Sequence, residues 1–283
     1  MREHWPDGWF AARFLPRERR TAAACVFAVL HQLGEVASAG GHCDGGCSSG
    51  SGCTSGGGAG AGGEEQRRVA GAILDHLWRG EPTGRADLDA FAGVAAGCDL
   101  RRDAFEAWVD AVLAPVPPRV ATWSRLRTQL EAVAGPLGRI TAAVLGAQAN
   151  TQWTAMHTAM AMTRLIEHAG ASKGVIRLPL DDLTAAGLTD RDVLQWPAGD
   201  PRLRQVIDVQ VTRARTLLHG GAKAVRGIAD ARTRRAVAVL IELEHRRLDR
   251  AAHVADAPGF TPRPATLAQR LAAIPRAMRR AAG

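Results

Sequence analysis

The stretch Val206-Ile207-Asp208-Val209-Gln210-Val211-Thr212-Arg213-Ala214-Arg215-Thr216-Leu217-Leu218 carries Val206, Val209, Ala214, Leu217 and Leu218 as an apolar stripe at helical spacing. A second stripe follows in Val237, Leu240, Ile241, Glu244 and Leu248, broken by one acid. Working outward, apolar residues recur at three and four along most of the chain. Alternation of the kind a strand needs is absent over any useful length, so the expected fold class is all-α. No short period repeats, which argues against a solenoid.

The chain has 283 residues, 46% of them hydrophobic, enough for one large domain with a buried core. No run of about 20 uncharged apolar residues occurs, so no membrane span is expected. Met1-Arg2-Glu3-His4-Trp5-Pro6 has no apolar signal core. The expected location is cytoplasmic, with peripheral membrane contact left open for a lipid-like substrate. The net charge of +8 invites a nucleic-acid reading. Its densest clusters are Arg17/Arg19/Arg20, Arg232/Arg234/Arg235 and Arg276/Arg279/Arg280. They sit on Ala-rich helical stretches without any nucleic-acid-binding signature, and read as solvated helix faces. Five cysteines, an odd number, argue against a disulfide framework.

Gly40–Gly63 is almost wholly Gly, Ser, Ala and Cys and is expected to be a flexible loop ahead of a helix beginning near Glu64. Cys43, Cys47 and Cys53, with His42 and Asp44, are zinc-type ligands at a spacing no known finger uses. Ala114–Pro118 is a second interruption, since proline does not continue a helix interior. The flanking helices need a common core, so residues 1–283 read as one domain.

Several phrases agree in order with one family. Gly8-Trp9-Phe10-Ala11-Ala12-Arg13-Phe14-Leu15-Pro16 is followed by a helix ending Phe27-Ala28-Val29-Leu30-His31-Gln32-Leu33-Gly34-Glu35-Val36-Ala37-Ser38. Val133-Ala134-Gly135-Pro136-Leu137-Gly138 comes next, then Ala161-Met162-Thr163-Arg164-Leu165-Ile166-Glu167-His168. The most specific phrase is Gly174-Val175-Ile176-Arg177-Leu178-Pro179-Leu180-Asp181-Asp182-Leu183, with Gly187-Leu188-Thr189 behind it. Together these resemble the squalene/phytoene synthase family across nearly the whole chain. The resemblance implies a single helical bundle of isoprenoid-synthase type with a central cavity. It also implies two helices whose paired aspartates hold Mg²⁺ against prenyl diphosphates, which are joined through a cyclopropyl intermediate.

The aspartates are missing. Those of the first motif fall on Gly34 and Ser38, the family's arginine on His31 and its tyrosine on Gln129. In the second motif Glu167 and His168 stand in place of an acidic face, and Arg164 replaces an amide. Mg²⁺ binding is therefore expected to be weakened, and no metal ligand is assigned. By the resemblance, Glu35, Glu167 and His168 are the candidate catalytic residues, and Phe27, His31, Met160, Arg164, Arg177 and Arg263 the candidate substrate-binding ones. Glu35 lies about 100° around its helix from the expected position, and Glu35 and Glu167 also read as ordinary solvated acids. Arg164, with Lys173, Arg177 and Arg263, can clamp phosphate oxygens without a metal. Trp153, Met156, Met160 and Met162 suit either a prenyl-chain wall or plain core.

Three readings stay open. One is a divergent prenyltransferase of specialised metabolism, taking a prenyl diphosphate and a small aromatic acceptor. Another is a non-catalytic relative that binds an isoprenoid or a protein partner. The third is an ordinary head-to-head squalene or phytoene synthase.

Overall fold

The computed structural model describes residues 6–39, 59–115, 117, 119–169, 178–195, 199–256 and 265–282. Its α-helices are α1 (Pro6–Ala12), α2 (Arg17–Ala39), α3 (Ala59–Trp78), α4 (Ala86–Asp89), α5 (Phe91–Gly97), α6 (Arg102–Leu113) and α7 (Trp123–Leu145). They continue as α8 (Thr151–Glu167), α9 (Leu180–Ala185), α10 (Asp190–Gln195), α11 (Pro201–Ala222), α12 (Ala231–Ala251), α13 (Leu267–Leu271) and α14 (Ile274–Ala282). No strand occurs among the described residues, as the helical periodicity led us to expect.

Side chains at the boundaries explain where the long helices begin. Asn150 Oδ1 accepts from the backbone of Gln152 and Trp153 to open α8. Asp200 and Asp230 do the same for α11 and α12. Each cap satisfies N–H groups that have no partner within the helix. α7 stops at Gly146, whose φ of +67° is left-handed. The guanidinium of Arg19 lies against that glycine and donates to the carbonyl of Val144 at 2.9 Å.

α8 is the axis of the molecule. It packs most extensively on α11 and α7, and also on α12. Two glycines permit the close approach. A Cβ at Gly138 of α7 would lie 3.0 Å from the Thr154 backbone nitrogen, and one at Gly221 of α11 would lie 2.7 Å from Met156 Cα. The buried apolar side chains form separate clusters. One joins α2, α3, α5, α6 and α7 around Val29, Leu33, Leu74, Phe91 and Phe105. Others surround the two halves of α8, with Met162 and Ile166 in one and Trp153, Met156 and Met160 in another. α2 and α8 both pack on α7 and hardly touch one another.

Three expectations change. α3 begins at Ala59, so the last five residues of the expected loop, 59–63, are helical; the rest of that loop, with Cys43, Cys47 and Cys53, lies outside the described residues. Two of the supposedly solvated arginines are structural: Arg19 as described, and Arg234, which donates to the carbonyls of Ile228 and Ala229 at 2.7 Å. Finally, Arg17–Ser38 is long and apolar enough to cross a membrane by length and composition. Ala22, Cys25, Val26, Val29 and Leu33 from it are buried in the first apolar cluster.

Candidate functional site

The sequence-predicted residues fall into two groups, one on each motif helix. On α2, Phe27, His31 and Glu35 follow at four-residue spacing and share a face. The Phe27 and His31 rings are 6.2 Å apart between centroids, and His31 Nδ1 is 3.7 Å from Glu35 Oε1. The Glu35 side chain is 68% exposed, and its charge is also felt by Arg85 at the start of α4. Gly34 faces the ring of Trp108 on α6. Ser38 Oγ donates to the Gly34 carbonyl at 2.9 Å.

On α8, Met160 is buried in the apolar cluster with Trp153 and Met156. Arg164 stands one turn further on, and Glu167 and His168 close the helix, with His168 as its exposed C-cap. Arg177 and Arg263, like Lys173, lie outside the described residues.

Glu167 corrects the reading of it as a solvated acid. It is 1% exposed, and both its oxygens accept from Arg247 of α12, from Nε at 2.7 and 2.9 Å and again from Nη2. A carboxylate taken this far from water needs such a partner. Arg247 Nη1 also lies 4.0 Å from Glu244 Oε1, one turn earlier on α12. Glu244 is 1% exposed, and neither of its oxygens has a hydrogen-bond partner.

The four groups act on one another. Burial pushes the Glu244 carboxyl up to about 7, against the pull of Arg247 and Arg164. Burial is also the largest influence on Arg164, lowering its pKa, with Arg247 adding to the effect. Burial opposes the charge of Arg247 too, but the hydrogen bonds of Glu167 and the charge of Glu244 outweigh it and raise its pKa. His157, on the same flank of α8, is driven down to about 4, first by burial and then by Arg164, and its Nε2 has no partner.

Arg164 differs from the other three in keeping more than a third of its surface open to solvent. When Glu244 holds its proton, the four groups carry one surplus positive charge, and Arg164 is the member that a ligand can reach. The sequence did not point to Arg247. For Glu244 the signal was present, as the single acid in an otherwise apolar stripe.

The Mg²⁺ implied by the resemblance does not fit the residues present. Mg²⁺ wants carboxylate oxygens in a near-octahedral set. The α2 motif positions hold Gly34 and Ser38, whose hydroxyl hydrogen is already engaged. On α8, Glu167 has both oxygens taken by Arg247. Residues 169–180 contain no carboxylate. Among the described residues no three His, Cys, Asp or Glu side chains gather as a metal site.

The most specific phrase of the sequence has a structural task. Asp182 accepts from both terminal nitrogens of Arg213 and from Gln210 Nε2 at 2.8 Å, while the Arg213 guanidinium lies 4.8 Å from the centre of the Trp123 ring. This fastens α9 to α11 and to the start of α7.

A helical bundle with these two motif helices defines an isoprenoid-synthase-type protein. The squalene/phytoene synthase family model matches residues 2–270, and the chain belongs to that family. Among solved structures it is similar to the squalene synthase HpnC from Alicyclobacillus acidocaldarius, at 20% identity and a TM-score of 0.70 over 91% of this chain and 92% of that one. It is similar also to a dehydrosqualene synthase in complex with ligand, at 13% identity and a TM-score of 0.78 over 98% and 92%. YisP from Bacillus subtilis subsp. subtilis strain 168 matches at 13% identity and 0.65 over 97% and 91%. At these identities the likenesses show the fold. No curated protein matches the sequence.

Proposed function

We propose that the chain is a divergent prenyltransferase of the squalene/phytoene synthase fold that receives a prenyl diphosphate at Arg164 without relying on Mg²⁺. The observation that carries this reading is the solvent-open guanidinium of Arg164, one turn from Glu167, whose charge is already taken up by Arg247. Met160 precedes Arg164 by one turn, so the cation stands next to the apolar cluster that Met160 shares with Trp153 and Met156. Guanidinium groups bind phosphate oxygens bidentately and need no metal to do so. One prenyl diphosphate with an uncharged acceptor, such as a small aromatic molecule of specialised metabolism, asks less of the altered motifs than two metal-bound diphosphates would.

A second reading, an isoprenoid-binding relative without catalysis, is favoured by the Glu167–Arg247 pair. Each group there is satisfied by the other and neither is free to assist a leaving group.

Calorimetric titration with farnesyl thiolodiphosphate, with Mg²⁺ or with EDTA, tests the binding. Metal-independent binding weakened roughly ten- to a hundred-fold in Arg164→Ala is expected, from the loss of a charge-assisted contact. Binding that requires Mg²⁺ and ignores Arg164 would return the chain to ordinary synthase chemistry. Pyrophosphate release from farnesyl diphosphate in the presence of aromatic acceptors then separates a transferase from a binder.

A further inference from the structure

We infer that Glu244 is a positioning residue that sets, through its own proton, how much positive charge Arg164 offers to an anionic ligand. This deepens the reading of Arg164 as the anion-facing group and rests on it.

Glu244 is in the wrong place for a solvated acid and has the wrong partners for a structural one. It interrupts the apolar stripe of α12 at a position flanked by Ile241 and Leu248, both fully buried. A carboxylate in that place is expected to accept hydrogen bonds, yet among the described residues neither oxygen has a hydrogen-bond partner. The charged groups that act on it are Arg247 on its own helix, Arg164 and Glu167 on α8, and Asp7 on α1. Asp7 is held by Arg270 of α13 at 2.9 Å. The other helices packed on α12 engage different residues of it: Arg215 of α11 pairs with Asp249, and Arg276 of α14 with Glu242. Glu244 thus lies 4.0 Å from one guanidinium, Arg247, which Glu167 already neutralises, and feels the charge of a second, Arg164, one turn from Glu167 on α8.

The coupling follows from charge alone. With Glu244 protonated, Arg164 is the uncompensated cation. With Glu244 ionised, the four groups sum to zero, and an arriving anion is repelled by that carboxylate while it is attracted by the guanidinium. An anion on Arg164 therefore favours the protonated acid, and binding takes a proton from solution. A titration position near 7 places this exchange in the neutral range.

The test uses inorganic pyrophosphate as probe, titrated from pH 6 to pH 8 into the wild-type chain, Glu244→Gln and Arg164→Ala. The ionisation of the probe is common to all three and cancels in the ratio of affinities. The wild type is expected to lose roughly ten-fold in affinity relative to Glu244→Gln across that range. Glu244→Gln, which cannot ionise, is expected to bind at pH 8 as the wild type does at pH 6, after that correction. Equal slopes for wild type and Glu244→Gln would overturn the inference, as would an Arg164→Ala variant that binds like the wild type or an absence of pyrophosphate binding at every pH.

A second measurement does not depend on any variant folding. The heat of pyrophosphate binding to the wild type at pH 7.5, taken in two buffers of different ionisation enthalpy, should report proton uptake beyond that of the probe; none would count against Glu244. Farnesyl thiolodiphosphate separates this inference from the functional reading. If pyrophosphate shows the Glu244-dependent profile and the prenyl analogue binds no tighter, the charge device stands and the prenyl-diphosphate reading falls.

Discussion

Gly221 of α11 approaches Met156 of α8 so closely that a Cβ at Gly221 would lie 2.7 Å from both Cα and Cβ of Met156. Neither backbone can yield without moving a helix. Gly221→Ala should therefore cost about 1–3 kcal/mol by overpacking, despite the better helix propensity of alanine. The adjoining Gly220 has nothing within 4 Å of its Cβ position. Gly220→Ala should be neutral or stabilise by up to about 1 kcal/mol. Urea unfolding of both variants checks the pair, and equal effects would show that the approach is not tight.

His157 and Glu244 should tilt the pH dependence of stability in opposite senses. Burial lowers His157 from 6.5 to about 4, so its contribution is complete above pH 6.5 and is lost as pH falls towards 4. Burial raises Glu244 from 4.5 to about 7, so its contribution is complete below pH 4.5 and is lost as pH rises towards 7. Each is worth roughly 3 kcal/mol over its window, and between pH 4.5 and 6.5 they oppose each other. Relative to the wild type, Glu244→Gln should gain stability as pH rises from 5 to 7.5, and His157→Asn should gain it as pH falls from 6.5 to 4.5. Thermal melts across that range decide the signs.

Breaking the Glu167–Arg247 pair from one side should be far worse than removing it whole. Glu167→Gln leaves a largely buried guanidinium short of charge, and a loss of about 3–5 kcal/mol is expected. Glu167→Leu combined with Arg247→Met should recover most of that loss. Denaturant midpoints for the single and double variants give the comparison, and additive losses would contradict it.

Asp182 and Arg213 should couple by about 1.5–3 kcal/mol in a double-mutant cycle, the range for hydrogen bonds between charged groups. The pair is partly shielded, with side chains 14% and 25% exposed. A coupling near zero would mean that stacking on Trp123 alone holds Arg213.

The fold could be read from residues whose spacing alone decides their role. The stripes on α11 and α12 lie in the interior, and the family phrases fall on α2, α7 and α8 in the expected order. Less of the candidate site could be read. Phe27, His31 and Glu35 share one face of α2, a relation that four-residue spacing carries in the sequence itself. Arg247 was missed because its partner lies 80 positions earlier in the chain, and pairing across helices leaves no periodic trace. Asp182 belonged to the most specific phrase, yet its contacts with Arg213 and Trp123 exist only once three helices are assembled.

α1 and α13 are clasped together beside α12. Arg270 holds Asp7, and Arg246 donates to the carbonyls of Gln269 and Ala272 at 2.9 and 2.8 Å. Asp7 is also one of the charges that Glu244 feels. Tags, fusions or trimming near either of these helices are thus wired to the polar centre, the outer helices acting as a handle on an interior acid. A change at the periphery that loosens α13 would shift the field at Glu244, and with it the anion affinity of Arg164, while leaving the walls of the bundle in place.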